Sequence, residues 1–259
     1  MVEANERAPI AQAAISVVLP AHDAVSALPA VIEAWTGYLD SLSRDYELLV
    51  IDDGSTDGTG PLADELSTRW SRLKVVHHAR PQGLGACLRA GLARAQFPLF
   101  CYAECSTAYQ AGDLARLLDV MDHVDLVTGM RIWQDHKPGW SAGRLWSWLA
   151  LRFVFGLRLK DVECAFKLFR RSIFERIPIQ SDGSFVHAEI LAKANFLGCM
   201  MAEVEVSYAP QAGQSMNVEP QGQRRHEAFR LFRHPDFGPS QPASPPTSQP
   251  TTSSSEPGA

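Results

Sequence analysis

The residues with the clearest chemical potential stand where apolar, β-branched runs stop. Ile15–Leu19 runs into Pro20-Ala21-His22-Asp23, and Tyr46–Ile51 runs into Asp52-Asp53-Gly54-Ser55-Thr56-Asp57-Gly58-Thr59. A third run, Pro98–Tyr102, leads to Glu104-Cys105-Ser106. Two adjacent carboxylates at the end of a buried strand are costly unless they accept hydrogen bonds or face a ligand. A nucleobase or ribose would supply suitable N–H and O–H donors. The other role open to Asp52 and Asp53 is to cap the helix expected from Thr59.

Two further groups are weaker candidates. His77 and His78 close another apolar run, but neighbouring strand residues point to opposite faces, so the pair cannot chelate one ion together. The five cysteines form no CxxC pair and have no zinc-finger spacing. They are expected to be buried or incidental thiols of a reducing compartment.

The elements that must position these residues alternate between strand and helix. Strands are expected at Ile15–Leu19, Tyr46–Ile51, Lys74–His77, Pro98–Tyr102 and Val124–Thr128. Helices are expected at Leu28–Leu42, Thr59–Leu73, Leu84–Ala95 and Asp113–Met121. This order implies an α/β fold: one mostly parallel sheet with helices on both faces. Ligands of such sheets bind at the carboxyl ends of the strands, which is where the acids lie.

The chain has 259 residues, 46% hydrophobic and 20% charged, with a net charge of −5. That composition excludes a wholly disordered chain, a coiled coil and a disulfide-stapled miniprotein. A sequence pI near 5.9 argues against a nucleic-acid partner, which would call for a basic surface. A single domain is expected over residues 13–232, after an N-terminal tail of residues 1–12. Residues 233–259 should form a disordered tail: from Pro239 onward no aromatic, basic or large aliphatic residue occurs. Met1 to Gln12 carry charges and no long apolar run, so no secretory leader is expected, and the protein should be cytoplasmic.

Five motifs in order carry a family resemblance. Leu49–Thr59 (LVIDDGSTDGT) resembles the signature of family-two glycosyltransferases with the GT-A fold, a Rossmann-like architecture. Gln82-Gly83-Leu84-Gly85 resembles that family's glycine-rich helix entry, and Thr128-Gly129-Met130-Arg131 its G-S-R segment. Asp161–Arg171 (DVECAFKLFRR) resembles the D-x-x-x-G-F-K-L-F-R-R block, and Asp182–Ala192 the D-G-x-x-x-D-x-E-L-L stretch. The branch indicated is that of the polyprenyl- and dolichyl-phosphate mannose or glucose synthases.

The resemblance implies displacement of a nucleoside diphosphate from a sugar, with inversion, by a lipid-phosphate or other hydroxyl acceptor. It assigns the nucleotide to Pro20, His22, Val50 and Asp52, with Asp53, Gly83 and Cys105 beside them. It assigns a divalent cation, magnesium or manganese, to the D-x-D segment, here Glu104 and Ser106. Arg131, Lys167 and Glu189 become the candidate catalytic residues; a guanidinium is suited to neutralising phosphate.

Several ligand positions depart from the family pattern. P-A-Y-N-E reads Pro20-Ala21-His22-Asp23-Ala24, and D-x-D reads Glu104-Cys105-Ser106. Ala108, Ala165, His187, Gln211 and Met216 stand where Gln, Gly, an acid, Arg and Lys are usual. With one carboxylate in place of two, the cation should bind weakly, or only with the nucleotide. These departures keep open a second reading, a non-catalytic relative acting as a nucleotide-binding or protein-interaction module. Asp52, Arg131, Lys167 and Glu189 favour the enzyme; Ala24, Ser106, His187 and Gln211 favour the alternative.

Trp140–Lys160 interleaves three tryptophans and two phenylalanines with Arg144, Arg152 and Arg158. It reads either as an interfacial helix on the inner face of a membrane or as a core helix with solvated arginines. Gln223–Arg233 reads as a solvated helical end.

Overall fold

A computed structural model describes residues 10–133, 156–209, 227, 229–230 and 233–238. Residues 140–155 of the aromatic stretch, Gln211, Met216, most of 223–233 and the tail from Pro239 lie outside the described residues.

Seven strands form one sheet in the order β3-β2-β1-β4-β6-β5-β7. They are β1 (Ile15–Ala21), β2 (Tyr46–Asp52), β3 (Leu73–His77), β4 (Leu99–Ala103), β5 (Leu126–Trp133), β6 (Phe166–Arg170) and β7 (Met201–Tyr208). Among the described residues the α-helices are α1 (Leu28–Asp40), α2 (Thr59–Arg69), α3 (Leu84–Arg94), α4 (Leu114–Leu118) and α5 (Val186–Phe196). All ladders are parallel except the two made by β6, which runs against β4 and β5. The expected α/β architecture, mostly parallel with helices on both faces, is therefore present.

Strand periodicity divides the interior in two. Val17 and Leu19 of β1, Leu48 and Val50 of β2, and Cys101 of β4 pack on one face with α1, α2 and α4. Val18, Leu49, Ile51, Phe100 and Tyr102 pack on the other with α3 and α5. Trp35 of α1 meets Phe166 of β6 edge-on at 5.6 Å, joining the parallel half to the reversed strand.

Three elements differ from expectation. α2 stops at Arg69, because Leu73 is taken into β3, where it pairs with Leu48. The region from Asp113 to Met121 holds only a 3-10 turn followed by the five-residue α4. β5 starts at Leu126 and continues to Trp133, because β7 pairs with it along that whole length. Among the described residues no helix is long and apolar enough to cross a membrane.

The strand order fixes where a cleft can form. β1, β2 and β3 step in one direction, and β4 then returns to the other side of β1. Such a reversal opens a crevice beyond the carboxyl ends of the two strands. Here it lies between His22, after β1, and Glu104, after β4. Because β6 is antiparallel, its amino end enters the same crevice, with Phe166 opposite Ala103.

Candidate functional site

The carboxyl ends of β1 to β4 bring His22, Asp52, Asp53, His77, His78 and Glu104 to one edge of the sheet. Asp52 ends β2 opposite Ala21 and is buried. Its Oδ1 accepts the Ser55 N–H at 3.1 Å, and its Oδ2 accepts from His77 Nδ1 at 2.9 Å. Burial works to raise the Asp52 pKa, but the Ser55 and His77 hydrogen bonds prevail and hold it below the usual carboxylate value. His77 Nε2 lies 3.1 Å from Asp64, so both ring nitrogens face carboxylates and the imidazolium is favoured.

Asp53 performs a different task. It accepts the N–H groups of Gln82 and Gly83 at 2.9 and 2.8 Å, and His78 Nδ1 donates to it at 2.7 Å. Gly83 has φ +93, and a Cβ there would overlap the Asp182 carbonyl. Only glycine lets the loop before α3 turn between Asp53 and residues 181–183. Asp53 thus holds the loop in place. The helix-capping alternative is not seen: α2 has no side-chain cap, and Asp57 accepts the Thr59 N–H instead. As expected, the two histidines engage different partners. His22 Nδ1 donates to the Asp53 carbonyl at 2.9 Å and leaves its ring partly exposed at the crevice.

On the other side of the crevice the positive charge comes from Arg131 on β5. Its Nε and Nη2 donate to both oxygens of Asp161, each at 2.7 Å, and its guanidinium lies 5.2 Å from the Tyr208 ring. Burial alone would lower the Arg131 pKa; the Asp161 pairing instead holds it above the usual value. Asp161 is held in turn by Glu203 of β7, which accepts its N–H at 2.7 Å. Tyr208 packs on Tyr109, in the segment after β4, with ring centroids 4.9 Å apart, and burial and then the Glu104 carboxylate raise its phenol pKa. Tyr208, Arg131 and Asp161 therefore form one polar cluster.

Donor chemistry decides what the end of β4 can hold. Glu104 offers one carboxylate, and Ser106 a neutral hydroxyl that accepts the Ala108 N–H at 3.4 Å. Cys105 is packed in the apolar core, its N–H donating to the Pro20 carbonyl at 3.3 Å. Such a set fits a hard divalent cation only where phosphate oxygens complete the coordination.

Four of the expected site residues do not reach the crevice, Cys105 of the apolar core among them. Val50 is fully buried in the core two residues before the strand end, because alternate residues of β2 turn inward. Lys167 is also fully buried and donates to Thr128 Oγ1, the Val162 carbonyl and the Cys164 carbonyl at 2.8, 3.1 and 2.6 Å. Glu189 of α5 accepts the N–H groups of Gln180 and Ser181, each at 2.7 Å, and pairs with Lys193 at 2.8 Å. Direct action of Lys167 and Glu189 on substrate is therefore corrected to support. Lys167 ties the 162–164 turn beside Asp161, and Glu189 ties the 180–181 loop that backs α3. His187 is buried as well, its Nδ1 lying 2.8 Å from the Tyr102 hydroxyl.

Burial pushes the Lys167 pKa down from 10.5 to about 8. Between pH 8 and 10.5 the unfolded chain binds the proton that the folded chain has released, so stability rises with pH across that window. The gain attributable to Lys167 should approach about 3 kcal/mol. Urea denaturation of the wild type and Lys167→Met across this range should show their difference changing with pH. A difference independent of pH would refute the assignment.

Sequence reasoning did not foresee Asp161, Glu203 or Tyr208 as parts of the cluster, nor His77 as the partner of Asp52. The alternation of Val204, Val206 and Tyr208 with Glu203, Glu205 and Ser207 was the available signal for β7.

Comparisons with known proteins agree with this arrangement. The sequence profile of glycosyl transferase family 2 matches residues 16–178. The polyprenol monophosphomannose synthase of Mycolicibacterium smegmatis is 29% identical over 210 residues, covering 74% of this chain and 76% of that protein. The undecaprenyl-phosphate mannosyltransferase of Micrococcus luteus is 28% identical over 207 residues, covering 74% and 82%. Among solved structures, the glucosyl-3-phosphoglycerate synthase of Mycobacterium tuberculosis with UDP superposes with a TM-score of 0.65. That match has 22% identity and covers 88% of this chain and 82% of the other, a likeness of fold. Crystals of the same enzyme hold Mg2+ with UDP, or Mn2+ with UDP-glucose. With its GT-A-type sheet, its acids at the strand ends and a profile match over most of its length, this chain belongs to glycosyl transferase family 2.

Proposed function

We propose that the protein transfers a sugar from a nucleoside-diphosphate donor to a polyprenyl-phosphate-type lipid acceptor, with inversion. The observation that carries this reading is the join between the relatives and the crevice. Similarity to enzymes named for polyprenol and undecaprenyl phosphate spans three-quarters of the chain, and the crevice pairs an acidic rim with a partly buried guanidinium. The relatives described above are all named as enzymes, two as synthases and one as a mannosyltransferase, which gives the non-catalytic alternative no support.

In this reading the nucleoside lies against Pro20, His22 and Asp52, and the diphosphate lies between Glu104 and Arg131. A cation held by Glu104 and the diphosphate would supply positive charge at the leaving group. An acceptor phosphate oxygen attacks the anomeric carbon as the bond from that carbon to the diphosphate oxygen breaks. The electron pair leaves on the nucleoside diphosphate, and Arg131 stabilises the charge as it develops.

The buried state of His187 favours a phosphate acceptor over a neutral hydroxyl. It occupies the place of the family's second acid, yet it is sealed against Tyr102. A phosphate monoester has its second pKa near 6, so its oxygen is already anionic at neutral pH and needs no base. Incubation with a panel of nucleotide sugars and polyprenyl phosphate should yield a lipid-linked sugar. A protein that binds no nucleoside diphosphate in calorimetry, with or without manganese, would end this reading.

Two variants test the roles assigned. Asp52→Ala should weaken nucleotide binding by about 1–3 kcal/mol, the cost of losing hydrogen bonds to a charged group. Calorimetric affinity unchanged in a folded variant would remove Asp52 from the site. Changing Glu104→Asp together with Ser106→Asp restores two carboxylates, so manganese-dependent nucleotide binding should tighten. No gain in that titration would mean the cation is held elsewhere.

A further inference from the structure

Behind the His22 side of the crevice, three ligand-type side chains converge beneath the loop between β3 and α3. They are the Asp53 carboxylate just after β2, the His78 imidazole just after β3 and the Cys87 thiol in the first turn of α3. Their ligand atoms all lie within 4.8 Å of one another. Cys87 is fully buried, and the side chains of Asp53 and His78 are 4% and 11% exposed.

We propose that Asp53, His78 and Cys87 form a binding site for a zinc-class divalent cation, separate from the Glu104 end of the crevice. A thiolate and an imidazole select a borderline-soft ion over magnesium, and three protein ligands leave one position for water. Charge favours occupancy, because a dication with one carboxylate and one thiolate is neutral, the form that burial tolerates best.

The proton balance is simple. Burial and the Asp53 charge raise the Cys87 pKa, so without a cation the thiol keeps its proton beside the carboxylate. On binding, that proton leaves to solvent as the sulfur–metal bond forms. His78 passes to its Nε2–H tautomer, so that Nδ1, whose N–H donates to Asp53 Oδ1 at 2.7 Å without the ion, presents a lone pair to the metal. The N–H groups of Gln82 and Gly83 already orient the carboxylate, as outer-shell donors do at metal centres. An ion there would link β2, β3 and α3 and clamp the loop carrying Gly83.

Cobalt reports this site directly. The untagged full chain, freed of chelator and without nucleotide, should bind one Co2+ with a near-ultraviolet thiolate-to-cobalt absorption band. Cys87→Ser should abolish the band, while Cys105→Ser and Glu104→Gln should keep it. Zinc at roughly a hundred times its Kd should raise the wild-type Tm by about 5 °C, and this shift should vanish in Cys87→Ser. If Cys87→Ser does not fold, His78→Gln reads the same band, and loss or displacement of the band supports the site. No band in the wild type, or an unchanged band in the variant that folds, overturns the proposal. That failure would leave the sugar-transfer reading intact, since the latter is judged by nucleotide binding.

Discussion

Replacing Arg131 with alanine should lower kcat/KM for sugar transfer by about 10²–10³, the usual effect of removing one preorganised group that faces developing negative charge. Two of the five guanidinium N–H groups serve Asp161, so the side chain arrives at the crevice already oriented. Arg131→Lys should recover little, because an ammonium cannot reproduce the planar fork that Asp161 holds. Steady-state kinetics with a nucleotide sugar and polyprenyl phosphate would measure the loss. The Arg131→Ala and Asp161→Asn double variant controls for the carboxylate otherwise left without its cation. Retention of kcat/KM within about threefold in a folded single variant would take Arg131 out of the transition state.

The largest effect on stability is expected at Glu189, where Glu189→Ala should cost about 3–5 kcal/mol. The change strands a buried amine: Lys193 is 2% exposed in its side chain and would be left without its carboxylate partner. The N–H groups of Gln180 and Ser181 would lose their acceptor at the same time. Glu189→Gln should cost less, since the amide oxygen still accepts. Adding Lys193→Met to Glu189→Ala should restore part of the loss, because the buried amine is gone. Urea denaturation would compare the three. A loss below about 1 kcal/mol for Glu189→Ala would show that the pocket admits water to Lys193.

How much of this was legible in the sequence depended on the kind of element. β1, β2 and β4 are buried on both faces, so each reads as a short apolar run closed by turn residues, and the acids at their ends could be placed. α5 was hidden for the opposite reason: Val186 to Ala194 are all buried, so its polar His187, Glu189 and Lys193 mark no solvent face. β6 was obscured by Lys167, a cation in the middle of a buried strand that becomes sensible only beside Thr128 and the Cys164 carbonyl. The same logic applies to the site. The types and positions of Asp52 and Glu104 were readable, whereas their division of labour was not. Whether an acid faces a ligand or braces a loop is set by partners far along the chain. His77 lies 25 residues from Asp52, and Gly83 lies 30 from Asp53.

The position of β5 in the sheet bears on how the chain assembles. Both of its neighbours, β6 and β7, come later in the sequence. β1, β2, β3 and β4 pair among themselves, so that half can close while the rest of the chain is still being made. β5 cannot: β6 covers only its Leu126–Thr128 end, and Gly129–Trp133 have no strand partner until Met201–Tyr208 has left the ribosome. Non-local pairings of this kind meet their loop-closure entropy before any contact rewards them, so they form late. The guanidinium on β5 is thus set in place last, and a nascent chain halted before Met201 presents an open strand edge to whatever it meets.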